Sequence, residues 1–420
     1  MGNHNQGCEM KNHYRFLLSA IVGAALLSGT ALASGGWTVQ SSGSTYNLME
    51  VQFKDLLKGV AVGENGVILT TLDGGVTWTP VASGVTTSLN AVEFATPMVG
   101  IADGIDGVIL RTTDGGNTWT QIAGGIPDDL WGACFVNATT GTIVGQYGTI
   151  LRTTDGGLSW TRQTSGTTVT LYEVDFTDAM TGTVVGQVGT ILRTTDGGAN
   201  WVLQTTGAGT LDFYGVHFLN ALKGIAVGEA GVVRVTSDGG TMWTSQASLT
   251  TDTLFAVHFY DSMLGTAVGA KGTIIATTDG GATWVKEQSG TTRTLNEVFY
   301  SGTDRVVAVG DYGLVLTKAN GGPASVSPIS GTPATFALTP NYPNPFNPST
   351  RLRFQLPAAA HARMVVYDVL GNEVAELVNE NLLAGSYEVV FDAYRLASGA
   401  YYCRLDAGSY TATRTMLLMK

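Results

Sequence analysis

Seven tryptophans mark time along this chain. Trp37, Trp78, Trp119, Trp160, Trp201, Trp243 and Trp284 follow one another at 41 residues, with a single step of 42. An Asp-Gly-Gly triplet keeps the same beat, beginning at Asp73, Asp114, Asp155, Asp196, Asp238 and Asp279, and Asn320-Gly321-Gly322 is a degenerate seventh copy. A period near 40 restricts the chain to a solenoid or a propeller. The chemistry inside one unit decides between them. Leu171–Phe176 reads as a first strand, Gly182–Val185 as a second, Thr190–Thr194 as a third and Trp201–Gln204 as a fourth, with glycine turns between them. No window sustains a helical period, so helical repeats are excluded. Four antiparallel strands per unit make a propeller blade.

The two ends of the repeat explain each other. The seventh unit runs through Leu314–Leu316 and Asn320–Gly322 into Pro323 without a tryptophan strand, while Gly35-Gly36-Trp37-Thr38-Val39-Gln40 is such a strand without a blade. The spacing therefore predicts that the N-terminal strand pairs into the last blade and closes a seven-membered ring, which removes an exposed edge. Composition agrees with this all-β reading. The chain is 44% hydrophobic with 56 glycines and only 13% charged residues, enough apolar material for a core and rich in turn formers. Formal net charge is −11, so the basic field that a nucleic-acid partner requires is missing.

Before the repeat, Phe16–Leu32 is apolar and follows Lys11, His13 and Arg15, and Ala31-Leu32-Ala33 has the small-x-small form of a cleavage site. Residues 1–33 read as a signal peptide, leaving no membrane-spanning segment in the mature chain. Cys8 leaves with it, and Cys134 and Cys403 fall in different predicted domains, so the fold does not rest on a disulfide. After the propeller, assigned to 34–322, residues 323–337 read as a Pro/Ser/Gly linker and 338–420 as a small immunoglobulin-like β-sandwich. Its strands are expected at Leu352–Leu356, Arg363–Tyr367, Ser386–Phe391 and Ala400–Leu405.

Two family resemblances attach to these motifs. Thr113-Asp114-Gly-Gly-Asn-Thr-Trp119 and its copies look like the Asp-box hairpin of sialidase-type propellers. With its Val-Gly-x-x-Gly turn, the whole repeat over about 35–322 is similar to the photosystem II stability and assembly factor family. The stretch Asn341–Thr350, with Val366–Gly371, Leu396–Tyr402 and the basic end at Lys420, resembles the C-terminal sorting domain of type IX secretion cargo. That second resemblance implies handling by the type IX machinery through 338–420 and a secreted or outer-membrane-associated cell-surface protein of a Gram-negative bacterium.

The expected sites follow from the repeat. The aspartates of the triplets are read as structural turn residues whose carboxylates accept turn N–H groups, with calcium binding as the alternative. Arg111, Arg152 and Arg193 stand three residues before the triplet in consecutive blades. They are candidates for docking an anionic surface, as the assembly-factor resemblance implies, or for packing their stems and pairing locally. Trp131, Tyr172, Tyr214 and Phe255 occupy one first-strand position in four blades. They suit a sugar or peptide surface, or else packing between blades. Asp175, His217 and His258 share another first-strand position and have metal-ligand chemistry, though polar lining of the channel is the preferred reading. No catalytic unit and no cofactor are expected. The function expected is a non-enzymatic binding or scaffolding propeller for a surface glycan or protein; the alternative is a sialidase-like glycoside hydrolase.

Overall fold

A computed structural model describes residues 36–122, 125–302, 305–319, 327–329 and, with short gaps, 333–419. Residues 1–33, expected to be a signal segment, and the Asn320–Gly322 triplet lie outside the described residues. The chain divides into two compact units.

The first unit is built of seven four-stranded antiparallel sheets. Blades 1 to 7 begin with the first strands Leu48–Phe53, Leu89–Phe94, Leu130–Phe135, Leu171–Phe176, Phe213–Phe218, Leu254–Phe259 and Leu295–Gly302. Each first strand lies against those of its neighbours, and that of blade 7 lies against that of blade 1, so the seven close a ring around an axis. The closure is as the spacing predicts. Trp37–Ser41 pairs antiparallel with Leu314–Ala319, Trp37 opposite Lys318 and Ser41 opposite Leu314. Trp37 is buried, and its Nε1–H donates to Glu287 Oε2 at 2.8 Å, while Lys318 Nζ lies 2.6 Å from Glu287 Oε1. The closing strand is thereby held both by its ladder and by blade 6.

Blades 1 to 6 repeat one packing unit. The phenylalanine ending the first strand meets the blade's tryptophan edge to face, as in Phe94–Trp119 at 6.2 Å and Phe218–Trp243 at 6.0 Å. The second strand must open on glycine for that ring to fit: a Cβ at Gly141 would stand 2.7 Å from the Phe135 ring. The Asp-box aspartates are used within their own turns. Asp114 Oδ1 accepts the N–H groups of Asn117 and Thr118 at 3.0 and 2.9 Å and the Thr112 hydroxyl at 2.8 Å, and Oδ2 accepts the Thr118 hydroxyl. Hydrogen bonds from Thr118 and its neighbours pull the Asp114 carboxyl down to about 2.

The second unit is a sandwich of two four-stranded sheets sharing one apolar core. One sheet contains Ser327–Ile329, Gly385–Asp392, Ser349–Leu356 and Ala337–Leu338; the other contains Glu373–Leu382, Ala360–Tyr367, Gly399–Ala407 and Tyr410–Leu418. One expectation needs correction, and one strand was not anticipated. Ser327–Ile329, assigned to the linker, pairs with Gly385–Asp392 as an edge strand. Glu373–Leu382 is a full strand beside Ala360–Tyr367, although its run of Glu and Asn does not read as one. The proline-rich lead-in is pinned by its asparagines. Asn341 Nδ2 donates to Thr350 Oγ1 and Pro343 O, and Asn344 exchanges hydrogen bonds with Thr415 O and Leu417 N.

Candidate functional site

A propeller leaves one edge of every first strand unpaired at its axis, and those backbone groups need partners. Here they find them in side chains of the preceding blade. Asn90 Nδ2 donates to Leu130 O at 2.7 Å, and Asn296 Nδ2 to Leu48 O at 2.8 Å. Glu50 Oε2 accepts Val92 N–H at 3.1 Å, Gln52 Oε1 accepts Phe94 N–H at 2.7 Å, and Asp175 Oδ2 accepts Phe218 N–H at 2.5 Å. Acceptors for N–H groups are most simply carboxylates. The axis is therefore lined with acid for a structural reason before any ligand is considered.

The lining is layered. In blades 1 to 6 the first strand carries a bulge just after its first residue, which shifts the register against the second strand. The bulged residues form the uppermost layer, Met49, Asn90, Trp131, Tyr172, Tyr214 and Phe255, completed by Asn296 from blade 7; all seven are buried, none more than 8% exposed. Within it Trp131, Tyr172, Tyr214 and Phe255 form a continuous arc, with ring centroids 6.1, 5.0 and 5.3 Å apart, and Ile105 and Ala270 pack against it. This layer seals the end of the axis beside the Val-Gly-x-x-Gly turns.

Below it lies a cavity of about 290 Å³ lined by Glu50, Glu173 and Glu297 at one level and by Glu93, Cys134, Asp175, His217 and His258 at the next, toward the Asp-box turns. Among the described residues no lysine or arginine lines it. Burial raises the Glu50 carboxyl well above the ordinary range, with Glu173, Glu297 and Glu93 adding to the effect; Glu93 is raised by burial as well. His217 and His258 lie with ring centroids 5.0 Å apart and planes tilted by 47°, backed by Phe259 and Phe299, and burial pulls the His217 pKa down against the opposing Asp175. The site is a blind, acid-lined channel with an aromatic end wall.

The residues singled out in the sequence divide accordingly. The four aromatics come together, as an inter-blade wall rather than an open platform. Asp175, His217 and His258 do share the channel; among the described residues no set of three or more His, Cys, Asp or Glu is disposed to hold a metal ion. The arginines are each engaged locally, at the seam with the next blade. Arg111 Nε donates to Gly156 O, Arg152 Nη2 to Ala179 O and Arg193 Nη2 to Ala221 O, at 2.9, 2.7 and 2.8 Å, each reaching the following blade. Arg152 and Arg193 also lie over Phe176 and Phe218. Their geometry is the local packing alternative, with carbonyls as the partners. Sequence reasoning missed Glu50, Glu173 and Glu297, although each stands two residues before a position it had singled out and so on the same face, because the other blades carry Ala91, Gly132, Gly215 and Ala256 there and no acidic column shows.

Comparison with known proteins agrees with this architecture. Residues 30–133 and 162–250 match the model of the photosynthesis system II assembly factor YCF48, and residues 341–419 match that of a secretion system C-terminal sorting domain. Among solved structures, the chain is similar to "YCF48 bound to D1 peptide", with 20% identity over 70% of this chain and 99% of that one, at a TM-score of 0.59. YCF48 from Cyanidioschyzon merolae gives 21% identity over 68% and 99%, also at 0.59. The RRP9 WD40 repeats give 11% over 68% and 98%, at 0.57. At these identities the likeness is one of fold. No curated protein matches the sequence.

Proposed function

From a propeller of YCF48-like repeats joined to a type IX sorting domain, which marks a secreted or cell-surface protein, we propose a non-enzymatic binding protein that presents its ring to a polypeptide at the surface of a Gram-negative cell. The observation that carries this reading is the closed ring with one blind axial channel. A rigid ring of near-uniform blades holds its loops and channel mouth in fixed places, which lowers the ordering cost of binding. A propeller of the same fold is described as bound to a D1 peptide, which supports a polypeptide over a glycan. The glycosidase alternative needs an arginine cluster facing a substrate carboxylate, and the three arginines here are engaged at three separate seams.

The test is an array of peptides and glycans probed with the mature chain. Selective retention on peptides is the expected result. Blank arrays, or turnover of aryl glycosides by the purified protein, would overturn the reading.

A further inference from the structure

One turn position exposes apolar side chains that the fold does not require. It is the fourth residue after the first-strand phenylalanine, in the turn to the second strand. In the six blades where that turn is described, it is Leu57, Met98, Thr139, Met180, Leu222 and Met263. The five apolar side chains are 49 to 59% exposed. Their backbone is nonetheless fixed at both groups. Leu57 N–H donates to Asp55 Oδ1 at 2.9 Å, and Met180 N–H to Asp178 Oδ1 at 2.7 Å. Leu57 O accepts Gly74 N–H at 2.8 Å and Met180 O accepts Gly197 N–H at 2.9 Å, which ties each turn to the Asp-box hairpin of its own blade. Thr139 keeps both bonds, to Asn137 Oδ1 and from Gly156 N–H, each at 2.9 Å. A polar residue therefore serves the turn equally well. Single exposed apolar residues are ordinary, but their recurrence at one place on one face marks an interaction surface.

The surface is densest in blade 1. Leu56 lies beside Leu57 in the same turn, Leu72 stands where the other Asp-boxes carry Thr or Ser, and Val76 follows the glycines; all three are exposed. The glycine that each turn bonds is the one next to the Asp-box aspartate, so every apolar side chain is accompanied by a carboxylate. Donors of their own turns hold Asp114, Asp196, Asp238 and Asp279 below the ordinary carboxylate range. The positive charge of this face is mostly turned inward. Lys54, Arg111, Arg152 and Arg193 donate to carbonyls of the next blade, and Lys58 lies 3.9 Å from Asp55. Lys223 and Arg305 are the remaining cations there.

Resting on the binding reading above, we propose that the Asp-box face docks a basic amphipathic polypeptide segment. Its apolar side chains meet the Leu and Met of the turns, and its Lys or Arg meets the Asp-box carboxylates. Methionine adapts its shape to an apolar partner, and the doubly held turns keep the contact points in place. Charge decides among occupants. A second copy of this chain, at a net charge of −11, brings the same sign, as does an anionic lipid surface. Contact points spread over five blades suit an extended segment rather than a small molecule.

Fluorescence anisotropy on a chain that begins at residue 34 tests this, with labelled amphipathic peptides of Leu and Lys, of Leu and Glu, and of Ser and Lys. The Leu/Lys peptide should bind, the other two at least tenfold more weakly. A variant combining Leu57→Thr, Met98→Thr, Met180→Thr, Leu222→Thr and Met263→Thr installs the blade 3 residue and leaves the net charge unaltered. It should bind the Leu/Lys peptide at least tenfold more weakly with an unchanged melting temperature. Peroxide footprinting reads the same face in the unaltered chain: bound peptide should slow sulfoxide formation at Met98, Met180 and Met263 at least threefold. No binding of the Leu/Lys peptide, full affinity in the threonine variant, or unslowed oxidation would overturn the proposal. So would capture by anionic vesicles, or self-association that the threonine variant abolishes. Peptide-array hits that the threonine variant retains would sink this inference while the binding function stands. Turnover of aryl glycosides, with the Leu/Lys peptide still bound at this face, would do the reverse.

Discussion

At the scale of single residues, two kinds of carboxylate coexist in this propeller, and their environments drive them apart. The Asp-box carboxylates face solvent and are surrounded by donors from their own turns, which holds Asp114, Asp155 and Asp279 at about 2. Depressed below the ordinary 3.8, these groups stabilise the fold above about pH 4, and their contribution is lost as pH falls through 2. Replacing all three by asparagine should lower the melting temperature at pH 7 and lower it less near pH 2.5, followed by circular dichroism; an equal loss at both pH values would contradict this. The Asp-box role was legible from sequence because Asp, Gly-Gly, Thr/Ser and Trp recur at fixed offsets, and each residue type has one service in the turn. The channel carboxylates were less legible. Glu50 and Glu173 share a face with Gln52 and Asp175 on a regular ladder, but the same position in four other blades is Ala or Gly, so the repeat shows no acidic column there.

At the scale of elements, the closing strand and the blade seams hold the ring. Trp37–Ser41 covers the otherwise open edge of Leu314–Ala319, and Glu287 ties both Trp37 and Lys318 to blade 6. Deleting residues 34–41 from a chain that begins at residue 34 exposes that edge and removes a buried indole, a loss on the order of 3–5 kcal/mol for the tryptophan alone. The shortened chain is expected to unfold at least 5 °C lower and to aggregate on heating, as seen by light scattering; an unchanged transition would mean that the strand is decoration. This element was readable because a Trp strand stood at the start and one was missing at the end. The sandwich strands Ser327–Ile329 and Glu373–Leu382 were not. The first lies in a proline- and serine-rich run that carries no alternation, and the second earns its place by pairing with Ala360–Tyr367 rather than by β propensity. Tertiary context decides such strands.

At the scale of the whole molecule, ring closure is what gives the channel its walls, because Glu50, Gln52, Asn90, Asp175 and Asn296 are each held by the blade that follows. An open stack of the same units would leave Asn296 without Leu48 O and blade 1 without its neighbour. The most direct test joins the two ends covalently. Thr38 and Thr317 are paired across the closing ladder with hydroxyls 3.0 Å apart, so Thr38→Cys with Thr317→Cys, in a background of Cys134→Ala and Cys403→Ala, places two thiols within bridging distance. On mild oxidation the account predicts a disulfide-linked peptide spanning positions 38 and 317 in most molecules, with a melting temperature above that of the reduced form. Two free thiols after oxidation, in a protein that is otherwise folded, would contradict a ring closed by its N-terminal strand.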